Sequence, residues 1–227
     1  MSDRPLLTNE TRSRVKRIGE PIALFFGRLG LTPNGLTLIG FGITSVAAVL
    51  AATQLWIAAG LVMLVGGVFD MFDGTLARAT GQVSKIGAFM DSVFDRWGEA
   101  VFYVGVIIGC SQADFDAGAG LAAAAMASAF LVSYTRAKSE GLGFTQGTGM
   151  AEVGLAPREV RLVILAVAIV ASGLTGGVAP LSGEHVILGL SWGQLCMGAG
   201  LGLIAILATI TIIQRVLHVR AQARRTS

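Results

Sequence analysis

The sequence predicts an all-α, polytopic membrane protein: six transmembrane helices preceded by an interfacial amphipathic helix. Three observations carry that prediction. Of 227 residues, 53% are hydrophobic and only 14% charged, with a mean hydropathy of +0.71; that balance excludes an ordinary soluble domain. The apolar residues gather into runs long enough to span, about 20 residues each, at 33–54, 55–79, 86–111, 117–140, 158–178 and 192–216. Lys and Arg concentrate in alternate links.

The first 30 residues lack a long apolar core, so they do not read as a cleaved signal peptide. Val15, Ile18, Ile22, Phe25 and Leu29 recur at helical spacing, with Arg12, Arg14, Lys16 and Arg17 between or before them. That pattern suits a helix on an anionic leaflet, broken near Pro21; a solvated basic leader is the alternative. Domain boundaries follow: a juxtamembrane arm over 1–30, a transmembrane domain over 31–220 and a tail over 221–227.

The links near 52–56, 111–118 and 173–192 contain no Lys or Arg, whereas the N-terminal segment, 78–85, 136–161 and the residues after 214 are basic. By the positive-inside rule both termini face the cytoplasm of a plasma membrane protein, and Trp56 and Trp192 lie at the outer interface. Cys110 and Cys196 fall within apolar runs and read as inert core residues. His185 and His218 are too far apart in topology to form a metal site. Nothing in the chain points to a nucleic-acid partner.

Within this apolar background stands Asp70-x2-Asp73-Gly74-x2-Ala77-Arg78, then eight residues, then Gly87-x3-Asp91-x3-Asp95. Positions three and four apart share a helix face. Asp70, Asp73, Gly74 and Ala77 therefore make one stripe, and Gly87, Asp91 and Asp95 a second. A tight hairpin over 79–85 would set the two helices side by side, with the stripes converging near the cytoplasmic surface. An aspartate at the centre of a membrane helix costs about 2.5–3.5 kcal/mol, so four demand compensation. Arg78 and Arg96 cannot neutralise four aspartates plus Glu99. Oxygen ligands without His or Cys select Mg²⁺, Mn²⁺ or Ca²⁺, and four carboxylates suit a two-metal site clamping a reacting phosphate. A cation or proton carrier is the rival from another class, but its site belongs near the midplane, and these stripes lie beside Arg78 and Lys85.

This spacing resembles the signature of the CDP-alcohol phosphotransferase family, D-x2-D-G-x2-A-R-x(7-8)-G-x3-D-x3-D, with every fixed position filled. The resemblance implies six membrane helices, a cytoplasmic-side site, and transfer of a substituted phosphate from a CDP-linked donor to an alcohol with release of CMP. It implies that Asp70, Asp73, Asp91 and Asp95 hold two Mg²⁺ or Mn²⁺ ions, with Asp95 also the general base. Gly74, Ala77 and Arg78 would line the CDP site. Pro33 and Asn34, in the turn Thr32-Pro33-Asn34-Gly35-Leu36-Thr37, and Ser84 match donor contacts of relatives; a helix start with Pro at N1 explains that turn equally well.

The acceptor is read from three further segments. Ser133-Tyr134-Thr135-Arg136-Ala137-Lys138 ends the fourth run, Arg158-Glu159-Val160-Arg161 opens the fifth, and Gln214-Arg215-Val216-Leu217-His218-Val219-Arg220 closes the sixth. Arg136, Lys138, Arg158, Arg161 and Arg215 would meet on one side and suit a dianionic phosphate, although cytoplasmic helix ends collect such residues anyway. The segments are similar to those of prokaryotic phosphatidylinositol-phosphate synthases, except that Val160 stands where relatives carry glutamate. That similarity implies CDP-diacylglycerol as donor and inositol 1-phosphate as acceptor. Glycerol 3-phosphate is the runner-up, and serine, lacking a phosphate, fits less well. Arg96 and Glu99 read as structural partners. The small-residue run Ala117–Ala129 suits close helix packing within one chain or in a dimer, and the resemblance implies a homodimer.

Overall fold

The computed structural model describes residues 21–144, 153–179 and 189–226. Among them, a short helical stretch at 21–28 precedes six long helices. These are α1 (Pro33–Ala52), α2 (Trp56–Ala79), α3 (Lys85–Gln112), α4 (Asp116–Gly141), α5 (Arg158–Leu174) and α6 (Trp192–Thr226). Four of these, α1, α2, α4 and α6, are long and apolar enough to cross a membrane. The other two differ for identifiable reasons. α3 carries Asp91, Asp95, Arg96 and Glu99 within its first fifteen residues, and α5 has only 17 residues.

Helix starts follow local chemistry. Thr32 caps α1 by accepting from the Gly35 N–H, with Pro33 at the first position, where its missing N–H loses nothing. Ser84 caps α3 by accepting from the Gly87 N–H. At the far end of the bundle, α1 turns into α2 through Gln54 (φ 62°), and α3 into α4 through Asp114 (φ 54°). Both are left-handed positions, which Asp114 as an aspartate tolerates better than most residues do. α6 runs ten residues beyond the expected end at 216. Its extension is built from Ala, Arg, Gln and their neighbours, mostly strong helix formers.

The helices close into a ring. α1 packs against α2 and α3, α3 against α4, α4 against α6, α6 against α5, and α5 against α2. The side-by-side pairing expected for the second and third helices is therefore not the main packing: α1 lies against both, and the two aspartate stripes face each other across a gap. Small residues let the backbones approach so closely. A Cβ on Gly105 would stand 2.2 Å from the Ala48 carbonyl oxygen, and one on Gly109 2.2 Å from that of Ala51.

The apolar core fills the half of the ring away from the aspartates, around Trp56, Met63, Phe102, Phe115, Ile169 and Met197. Outward positions remain apolar as well, among them Val49, Leu61, Val167 and Ile206, as expected where the surroundings are lipid. The 21–28 stretch does not lie free on the surface. Ala23 and Phe26 pack on Leu36, Phe69, Phe72 and Leu76, while Ile22, Phe25 and Leu29 stay exposed. The rest of the predicted arm, with Arg12, Arg14, Val15, Lys16, Arg17 and Ile18, lies outside the described residues.

Gly105→Val should force α1 and α3 apart at a cost of about 1–3 kcal/mol. The expected outcome is a lower thermal midpoint in detergent, followed by size exclusion. Gly202→Val, whose Cβ meets nothing within 4 Å, should leave it unchanged.

Candidate active site

The site is assembled from three helices of the ring at one end. Asp70 and Asp73 project from α2, Asp91 and Asp95 from α3, and Arg158 from the first residue of α5. Asp73 is 4% exposed and accepts the Thr37 hydroxyl at 2.7 Å as well as the N–H of Gly74. Those two donors offset the burial of a carboxylate. Asp70 has room because α1 presents Gly40 opposite it: a Cβ there would lie 2.5 Å from the Asp70 Oδ1.

Arg158 spans the gap. Its Nη2 meets the Asp70 Oδ2 at 2.9 Å and its Nη1 the Asp95 Oδ2 at 2.7 Å. Asp95 also lies 3.8 Å from Arg96. Asp91 makes no hydrogen bond or ion pair among the described residues, yet it is close enough to Asp73 and Asp95 to repel both. Asp70 likewise repels Asp73, Asp91 and Asp95. The two stripes thus share one electrostatic site.

As the side chains stand, no three metal-ligating groups among the described residues close on a single point. The donor set nonetheless fits a hard divalent cation, being all carboxylate, mutually repelling, and already drawing a guanidinium between two of its members. Asp70, Asp73, Asp91 and Asp95 are the residues that would hold it.

Beneath this tier lies a second ionic group. Glu99, its side chain 2% exposed, accepts from Arg161 at 3.1 Å and from Arg96 at 3.0 Å. Arg96 also donates to the Ser133 hydroxyl at 2.9 Å. Arg161 is 1% exposed and donates to the Ala156 carbonyl at 2.9 Å. A small cavity of about 20 Å³, the size of one water, lies between the tiers, lined by Thr37, Asp70, Glu99 and Arg158 with apolar neighbours.

The predicted acceptor residues are placed unequally. Arg215 is 5% exposed and donates to the carbonyls of Val153 and Val132. Arg136 and Arg161 lie near enough to repel it, so three helix ends bring positive charge together. Arg136 itself pairs with Glu140 at 2.9 Å, and Lys138 is exposed. On the donor side, Asn34 and Ser84 flank Gly87: a Cβ there would stand 3.5 Å from the Asn34 Oδ1 and 3.0 Å from the Ser84 Oγ. Arg78 is exposed and folds back over Gly74, its Nη1 3.3 Å from a Cβ built there. Ala77 is half-buried on the same stripe. Sequence reasoning did not find Thr37, Gly40 or Ser133 as partners of this site, because their roles depend on which helix faces which.

The family model for CDP-alcohol phosphatidyltransferases matches residues 30–219. The chain belongs to the CDP-alcohol phosphatidyltransferase family. It is therefore a transferase, and the carrier alternative falls away. It is 34% identical over 210 residues to an archaetidylinositol phosphate synthase of Pyrococcus horikoshii, covering 92% of this chain and 95% of the relative. It is 34% identical over 188 residues to a phosphatidylinositol phosphate synthase of Corynebacterium glutamicum, covering 81% and 82%. The crystal structure of the Mycobacterium tuberculosis phosphatidylinositol phosphate synthase with CDP-DAG bound superposes with a TM-score of 0.74 at 25% identity, over 89% of this chain and 94% of that one. The same enzyme in complex with manganese and citrate gives 0.72 at 25% identity, over 88% of each.

Glu99→Ala would leave Arg161 buried without its counter-charge, a loss of about 3–5 kcal/mol. The expected result is a large drop in thermal stability of the purified protein, measured without substrate.

Proposed function

We propose that this chain transfers the phosphatidyl group of CDP-diacylglycerol to inositol 1-phosphate, releasing CMP. The observation that carries the reading is the contact between two opposite fields: a carboxylate cluster on α2 and α3 adjoining an arginine cluster on α4, α5 and α6, with Arg158 between them. A nucleotide diphosphate held through cations belongs to the first field and a dianionic acceptor to the second. The two relatives differ in the lipid their names specify but both are named for a lipid-linked inositol phosphate product, which favours that acceptor over glycerol 3-phosphate.

Two Mg²⁺ or Mn²⁺ ions, when bound at Asp70, Asp73, Asp91 and Asp95, would offset charge on the donor pyrophosphate and on the departing CMP; manganese in the M. tuberculosis enzyme supports this. The chain supplies the rest. Asn34, Ser84, Gly74, Ala77 and Arg78 border the space for the cytidine and its phosphates, the small side chains allowing close approach. Arg136, Lys138, Arg158 and Arg215 draw in the acceptor phosphate, which orients the alcohol. Asp95 takes the hydroxyl proton as that oxygen bonds to the phosphatidyl phosphorus, and the bond from phosphorus to the CMP oxygen breaks. Its position beside Arg158 and Arg96 places the base at the border of the two fields.

All six helices cross the membrane in this reading, α3 with its acidic half at the inner leaflet. A helix of 28 residues spans about 42 Å, enough for core and interface together. The basic links support a cytoplasmic side for both termini and the site, in the plasma membrane. On α4, Ala122, Ala125 and Ala129 are used inside the chain, while Ala123 and Ala124 face outward and suit a second copy in a homodimer.

Release of CMP from CDP-diacylglycerol by the purified protein tests the reading directly. Turnover should require Mg²⁺ or Mn²⁺, stop on chelation, and proceed with inositol 1-phosphate in preference to glycerol 3-phosphate; equal rates with both acceptors would reject the assignment. Asp95→Asn should lower turnover about 10²–10⁴-fold while CDP-diacylglycerol still binds.

A further inference from the structure

Arg158 has a bonding pattern unlike that of the arginines around it. Arg161 is fixed by Glu99 and the Ala156 carbonyl, Arg215 by two backbone carbonyls, and Arg96 by Glu99 and Ser133. Among the described residues, Arg158 is held only by Asp70 and Asp95, at 2.9 and 2.7 Å. Its Nε is buried and has no partner, a feature it shares with Arg161; what sets it apart is that both its contacts are to the site's own aspartates. It also lies close enough to Arg96 to be repelled by it, so it stands on the boundary between the carboxylates and the other guanidinium groups.

We propose that Arg158 is a shared counter-ion, exchanged between the aspartates and the acceptor phosphate, so that cation binding and anion binding strengthen each other. This rests on the metal-dependent reading given above. The physical reason is competition for the same oxygens. A guanidinium fork and a divalent cation both seek the lone pairs of Asp70 and Asp95. Two divalent ions would bring four positive charges to four carboxylates, leaving Arg158 as surplus charge beside them. A dianion at the arginine cluster offers it a new partner at short range. Drawing Arg158 toward that anion frees carboxylate oxygens for cations; loading cations frees Arg158 for the anion. Such coupling is reciprocal by linkage. The established fold supplies rigid neighbours on either side, so the moving part is one side chain at a helix start.

The test measures equilibrium binding without donor, so no turnover occurs. Mn²⁺ affinity of the detergent-solubilised full chain is read from the free-ion electron paramagnetic resonance signal, with and without inositol 1-phosphate. In the wild type, saturating inositol 1-phosphate should tighten Mn²⁺ binding about 5-fold or more, within the usual span of coupled sites. Arg158→Gln should bind Mn²⁺ more tightly than wild type in the absence of the anion and show a coupling factor near one. Arg158→Lys keeps the charge but not the fork, and should show reduced coupling; it also serves should the glutamine variant not fold. Arg28→Gln, an exposed arginine on the 21–28 stretch with no part in the site, should retain the coupling. Wild-type coupling in both Arg158 variants, or weaker Mn²⁺ binding in Arg158→Gln, would overturn the proposal alone. Mn²⁺ binding absent from the wild type, or unmoved by Asp91→Asn, would overturn the metal-dependent reading and this proposal with it.

Discussion

Negative charge held inside an apolar bundle must be offset, and this requirement organises the whole inner half of the ring. It is met in two ways. Glu99 is clamped between Arg96 and Arg161, nearly out of reach of solvent, and forms a closed ionic group. The aspartates above it are not closed in this manner. Asp73 is satisfied by a hydroxyl and a backbone N–H, Asp70 and Asp95 share one arginine, and Asp91 has no direct partner among the described residues. A buried carboxylate whose charge is matched by two arginines is rigidly held, whereas mutually repelling carboxylates sharing one arginine are a candidate place for a ligand. The lower tier acts as a floor for the upper one.

The rest of the fold keeps that incomplete group in place. Trp56, Phe102, Phe115 and Met197 fill the other half of the ring, and glycine-to-carbonyl contacts lock α1 to α3. With one end tightly packed, the other end tolerates a gap between α2 and α3. The position of α1 accounts for that gap: it packs against both acidic helices. The consequence is that the two acidic stripes are bridged by Arg158 and not packed directly on each other.

Much of this was readable in the sequence, and the parts that were not share one cause. The aspartate stripes, the small residues beside them and the helix starts at Pro33 and Lys85 depend on local spacing. Local spacing survives folding. Arg96 and Glu99 were also recognisable as structural, since they follow the last aspartate within one turn. Tertiary neighbours were not recognisable. Thr37 reaches Asp73 across 36 positions and Arg158 reaches Asp70 across 88, and nothing in the spacing of either pair announces the contact. The helix pairing itself was misjudged at α2 and α3, because a short link implies adjacency only when no third helix fits between. Positive-inside placement and anion binding call for the same residues at the same helix ends, so Arg136, Lys138 and Arg215 could be located in sequence but not sorted by role.

α1 contains no ionisable side chain at all, yet two of its residues shape the chemistry: Thr37 steadies one carboxylate and Gly40 makes way for another. A scan restricted to charged and nucleophilic positions would pass over it. Substitution on this helix should consequently be tolerated on the lipid-facing side and not at Gly40, because a single methyl group added there would relocate the acid that its neighbour must present.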